Sequence, residues 1–174
     1  MVNNNLLSFP QSIEATQALM NKIKNKELNE IEIQNEVSTI VNTKNGGRGF
    51  FVAYLTSDLP LSDYPSQGII SGLKSSIEVT SKLLVKNLAM SSAMAFVHKQ
   101  NSDFISAKAS QSVTQRTENL IRKIDEDIIF KELKQLKNTI STGRGEYKGF
   151  LKRWQYDENQ KEEIERVLSN IINE

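Results

Sequence analysis

Apolar residues recur along this chain mostly at spacings of three and four, the period of a helix with one buried face. Ser8-Phe9-Pro10-Gln11 predicts the first helix start. The Ser8 hydroxyl can accept from the third helical N–H, Pro10 has no N–H to lose, and Gln11 can reach back. Ile13, Leu19, Met20 and Ile23 follow as a stripe. Asn29 to Glu32 predicts a second start, ahead of Ile33, Val37, Ile40 and Val41. Asn45-Gly46-Gly47 predicts its end, because glycine takes the left-handed conformation that closes a helix. The period then changes. The run from Phe50 to Thr56, with Phe51, Val52, Ala53, Tyr54 and Leu55 between, is aromatic and β-prone, and predicts a strand. Such a strand needs a partner, either Leu59–Tyr64 in a hairpin or a second subunit. Pro60 and Pro65 forbid a helix through the following loop.

From Ser66 or Ser71 the spacing predicts one long helix to Lys99. Leu73, Ile77, Leu84 and Leu88 form its first stripe, and from Leu83 to Val97 nearly every position is apolar or small. A helix apolar on all sides is either central to a core or shared with another chain. Asn101-Ser102-Asp103 predicts a break and a cap, followed by helices over 104–124 and 128–141. Asp125 and Asp127 sit at their join, where carboxylates suit a helix N-terminus. A short helix is expected over Glu146–Trp154. Asp157 to Gln160 then caps a last helix with Ile164, Val167, Leu168, Ile171 and Ile172 facing inward. The expected fold is mainly α. It is a single-domain helical bundle of five to seven helices across residues 1–174, with one short strand or hairpin near residues 49–64. Residues 1–8, with Asn3, Asn4 and Asn5, are expected to be flexible.

Composition narrows the setting. The chain has 174 residues, no cysteine and a net charge of +1. Disulfides and thiolate metal sites are excluded, and a reducing cytoplasm is the expected location. The charge balance counts against a dedicated DNA-binding domain. Met1 to Ser8 lacks the basic and apolar regions of a signal peptide, and no apolar run is long enough to span a bilayer.

Candidate chemistry is sparse. Gly47-Arg48-Gly49 and Gly143-Arg144-Gly145 each follow an expected helix end, and exposed glycine N–H groups beside an arginine can hold an anion. Neither is followed by the Gly-Lys-Ser/Thr of a phosphate-binding loop, so both read as helix caps. Arg144, Tyr147, Lys148, Phe150, Lys152, Arg153, Trp154 and Tyr156 interleave cations with aromatics, a composition suited to single-stranded nucleic acid. The preferred reading of that run is an amphipathic helix with Phe150 and Trp154 on the core and Lys148 and Lys152 in water. His98, the only histidine, ends the long helix, where a cation suits the dipole. Ser71 to Lys74 has a Ser-x-x-Lys spacing without its partner motifs, and Asp125-Glu126-Asp127 lacks the glycine of a calcium loop. No catalytic residue, metal site or cofactor is assigned. Asp58 and Asp63 near Tyr54 and Tyr64 make the loop a candidate groove wall, although carboxylates there equally form turns.

Arg48 to Thr56, Leu84 to Met90, and Gly145 through Tyr147 to Trp154 resemble a family of small uncharacterised cyanobacterial proteins. The resemblance covers most of the chain from Asn45 onward. It implies a bacterial cytosolic setting and supplies no activity, ligand or catalytic residue.

Three functional expectations follow. The first is a non-enzymatic interaction or regulatory protein that self-associates through the apolar helix, with Leu84, Leu88, Met90, Ala93, Met94 and Val97 as its seam. The second is a small-molecule binder or enzyme with a pocket between residues 48–65 and the 71–99 helix. Arg48 would anchor an anion there, with Tyr54, Asp58, Asp63 and Tyr64 as the other polar groups. The third is weak single-stranded nucleic-acid binding through Arg144, Lys148, Lys152, Arg153 and Trp154. Protein or homo-oligomeric partners rank ahead of small molecules, and nucleic acid ranks last.

Overall fold

A computed structural model describes residues 6–173, so residues 1–5 of the expected flexible tip at 1–8 lie outside the described residues, while Ser8 is the cap of the first helix. Among the described residues are nine α-helices and a single 3₁₀ turn, with no strand. They form two compact units, one up to Leu83 and one from Leu84.

The first unit contains α1 (Phe9–Lys24), α2 (Glu30–Val41), α3 (Lys44–Leu55), the 3₁₀ turn Pro60–Ser62, α4 (Gln67–Lys74) and the start of α5 (Ile77–Gln100). Both expected capping boxes form. Ser8 accepts from the Gln11 N–H at 3.4 Å while Gln11 accepts from Ser8 at 2.9 Å, and Asn29 and Glu32 repeat the exchange at 3.0 and 2.8 Å. In α2 the four expected aliphatics, Ile33, Val37, Ile40 and Val41, are buried. In α1 the buried face runs through Ser12, Thr16, Leu19 and Met20, while Ile13 and Ile23 are only half-buried.

The expected strand at Phe50–Thr56 is helix α3. Its N-cap is Thr43, whose hydroxyl accepts from Gly46 N–H at 3.0 Å, so Asn45-Gly46-Gly47 opens a helix instead of closing one. The glycines serve close approach. A Cβ at Gly49 would land on the Ser12 hydroxyl of α1, and one at Gly47 would come within 2.7 Å of Leu83 Cδ1. The same device recurs at the crossing of α2 and α4, where Gly68 and Gly72 lie one turn apart. A Cβ at Gly72 would sit 2.5 Å from Val37 Cβ, and Gly68 faces Glu30 and Ile33. The Gly68 N–H donates to the Glu30 carboxylate, which thereby supports the start of α4. The expected single helix from Ser71 is also corrected. Ser75 caps α4, its hydroxyl donating to the Gly72 carbonyl at 2.6 Å, and α5 starts afresh at Ile77.

The second unit holds the rest of α5, then α6 (Phe104–Ile124), α7 (Asp127–Thr142), α8 (Lys148–Trp154) and α9 (Glu158–Ile172). These elements match the expected boundaries closely, so the helix count exceeds the expected five to seven only through α3 and the α4–α5 break. Asp103 caps α6 by accepting from the Ser106 N–H at 3.1 Å, and Asp157 caps α9 by accepting from Gln160 N–H at 2.8 Å. Thr114 of α6 donates to the Ser91 hydroxyl of α5 at 2.8 Å, so these helices meet through hydroxyls as well as apolar groups. Ile129, Leu133 and Leu136 of α7 and Ile164, Val167, Leu168 and Ile171 of α9 are buried in the core, where α7 packs on α9.

Candidate functional site

Around the 3₁₀ turn, Tyr54 is turned into the core, stacked on Phe50 at 5.3 Å, and its hydroxyl donates to the Leu61 carbonyl at 2.7 Å. Its polar tip ties the turn to α3 and is not offered to a ligand. Asp58 and Asp63 are exposed, Tyr64 is 80% exposed, and Arg48 lies on an outer face of α3 with its guanidinium 5.0 Å from the Phe9 ring. The set is therefore split between interior and surface. The Gly47-Arg48-Gly49 backbone is helical, so it forms no anion-binding loop.

Of the expected seam, Leu84, Leu88 and Ala93 are fully buried and do not reach a surface. Met90 and Val97 are half-buried, and Met94 is exposed. His98 stands in the last turn of α5 with Nδ1 3.7 Å from the Asp103 carboxylate. Hydrogen bonds from Ser106, with His98 adding a smaller effect, hold the Asp103 carboxyl below the usual range.

The third region is built differently. Left-handed residues mark both sides of α8, Gly143 and Gly145 before it (φ 69° and 131°) and Gln155 after it (φ 50°). Gly143 is the cap expected of it, closing α7. These turns fold the short α8 back beside the end of α7. Tyr147, at its start, is buried and donates to Glu132 at 2.6 Å, and Glu132 is itself only 5% exposed. Burial first, and the carboxylate second, push the Tyr147 hydroxyl well above the ordinary tyrosine range. Phe150 packs edge-on between Tyr147 at 6.3 Å and Tyr156 at 6.1 Å, and the Lys86 ammonium lies 5.9 Å from the Tyr147 and Phe150 rings. Trp154, expected on the core, is 47% exposed.

The other face of α8 carries Lys148, Leu151, Lys152 and Gln155, spaced one turn apart. With Thr139, Ile140 and Gly143 from the end of α7, Tyr156 from the turn and Lys161 from α9, they line a cavity of about 400 Å³. Lys161 also pairs with Glu158 at 2.7 Å. The Tyr156 hydroxyl is buried without a hydrogen-bond partner, and burial raises it above the ordinary tyrosine range. Of these wall residues, sequence pattern points to Lys148 and Lys152 but not to Thr139, Lys161 or the wall position of Tyr156. The one signal along the chain is the basic run itself. Between Ile128 and Tyr156 only Glu132 and Glu146 oppose Lys131, Lys134, Lys137, Arg144, Lys148, Lys152 and Arg153. Among the described residues no cluster of three or more His, Asp or Glu is placed to hold a metal ion, and no helix is long and apolar enough to cross a membrane.

The family described as "Uncharacterised conserved protein UCP020893" matches residues 8–171. The chain belongs to this family. The match runs from the Ser8 cap to Ile171 in the last helix, and it bears out the expectation of an uncharacterised family. Neither the curated proteins nor the solved structures include a match to this family member.

Proposed function

We propose that this family member is a non-enzymatic interaction protein that holds an anionic partner at the α7–α8–α9 cavity. The observation that carries the reading is the convergence of Lys148, Lys152 and Lys161 on one concave surface. Lysine ammonium groups that share a partly apolar wall attract anions more strongly than the same groups dispersed in water. The test is titration at low salt with pyrophosphate and with a short single-stranded oligonucleotide, for the natural chain and for Lys148→Glu/Lys152→Glu. Binding of either probe that is lost in the variant is expected. No binding, or binding unchanged by the charge reversal, ends the reading.

A second reading, self-association, is favoured by exposed apolar side chains in the α5–α6 hairpin. Met94 is 42%, Phe104 67% and Ile105 87% exposed. A seam here would use the outer Met90–Met94–Val97 stripe in place of the buried Leu84 and Leu88. Sedimentation should find a dimer that Met94→Lys/Ile105→Glu dissociates. A monomer across the accessible concentration range ends this reading.

A further inference from the structure

Resting on the anion-binding reading, we infer that the occupant of the α7–α8–α9 cavity is a small phosphate monoester with an apolar substituent, not a nucleic-acid strand. Size is the first argument. About 400 Å³, in a groove open to solvent, matches the volume of a small-molecule site. The wall is the second. Its charged residues are Lys148, Lys152 and Lys161, while Leu151, Ile140 and Tyr156 contribute apolar carbon. That division asks for a ligand with an anionic head and an apolar body.

The kind of cation matters too. An arginine fork pairs with carboxylate and phosphate alike, whereas lysines act as separate point charges, so a set of lysines suits a compact group that carries more than one charge. Arg144 and Arg153 flank the cavity in sequence but do not line it. A phosphate monoester carries roughly −1.5 to −2 at neutral pH, which suits Lys148 and Lys152 together, with Lys161 shared with Glu158.

The aromatics argue against a strand of nucleic acid. Binding of single strands relies on open aromatic faces on which successive bases stack. Tyr147, Phe150 and Tyr156 are packed against one another, which leaves Trp154 as the exposed ring of α8.

The experiment is calorimetric titration with phenyl phosphate, inorganic phosphate and a single-stranded oligonucleotide, with phosphatidate-containing vesicles as a fourth arm. Phenyl phosphate should bind more tightly than inorganic phosphate. Lys148→Ala/Lys152→Ala should weaken it by about tenfold or more, and Arg153→Ala should leave it unchanged. Equivalent lysine-dependent binding to the vesicles alone would retain the chemistry and assign the ester to a lipid headgroup. Lysine-dependent binding of the oligonucleotide, lost also in Arg153→Ala and with phenyl phosphate ignored, overturns this inference while leaving the anion-binding reading intact. If no probe binds, both fall. Circular dichroism of each variant separates lost binding from lost folding.

Discussion

Tyr147 and Tyr156 close the two ends of α8, and burial leaves their hydroxyls in opposite circumstances. The Tyr147 hydroxyl donates to Glu132, whose carboxylate sits on the core face of α7 between Ile129 and Leu136. Removing the donor strands a buried charge, so Tyr147→Phe should cost about 2 kcal/mol or more. The Tyr156 hydroxyl has no partner to lose. Tyr156→Phe should therefore be neutral or stabilising by up to about 1 kcal/mol, since the phenyl ring refills the site without an unpaired polar atom. Urea unfolding of the two variants checks the contrast, and equal losses would contradict it. The glycines divide in the same way. Gly149 lies within α8 with open space where a Cβ would stand, so alanine should strengthen the helix there by about 0.5–1 kcal/mol.

At the scale of elements, the helix crossings of the first unit depend on missing side chains. Gly49→Ala pushes a methyl into Ser12, and Gly72→Ala pushes one into Val37. Each should cost about 1–3 kcal/mol by separating packed helices, in contrast with Gly149→Ala, and thermal unfolding measures all three. This packing also explains what is legible in the sequence. Helices α2 and α9 are readable because a cap residue and an aliphatic stripe agree, α6 through its Asp103 cap, and α7 through its stripe of Ile129, Leu133 and Leu136. Helix α3 is not, because glycine and aromatic residues read locally as a stop and a strand. The helical signal is present as Gly46, Phe50 and Tyr54, with Gly47, Phe51 and Leu55 beside them, each one turn apart on the buried face. Tertiary contact there outweighs local propensity. The candidate site is legible only in part. Lys148 and Lys152 stand out in a basic run, but Lys161 joins them because Gln155 turns left-handed, and nothing about a glutamine announces that turn.

At the scale of the molecule, near-neutral net charge conceals a division along the chain, basic from Lys131 to Arg153 and acidic from Asp157 onward. Tyrosine ionisation gives the whole protein a pH limit. Both Tyr147 and Tyr156 are held above their ordinary value of about 10, chiefly by burial. The unfolded chain releases these protons first, so their contribution is complete below about pH 10 and is lost as pH rises beyond it. The denaturant midpoint should fall between about pH 10 and 11, and less steeply in Tyr147→Phe/Tyr156→Phe; identical slopes would contradict the assignment.

The pairing of helices in the first unit has a consequence for synthesis. Helix α1 packs chiefly on α3, and α2 on α4, so the partners interleave along the chain. A nascent chain can complete the first pair only after residue 55 and the second only after residue 74. Until α4 leaves the ribosome, Ile33 and Val37 lack the cover of Gly68 and Gly72. A translational pause between those points presents this aliphatic face to chaperones, and release of α4 withdraws it.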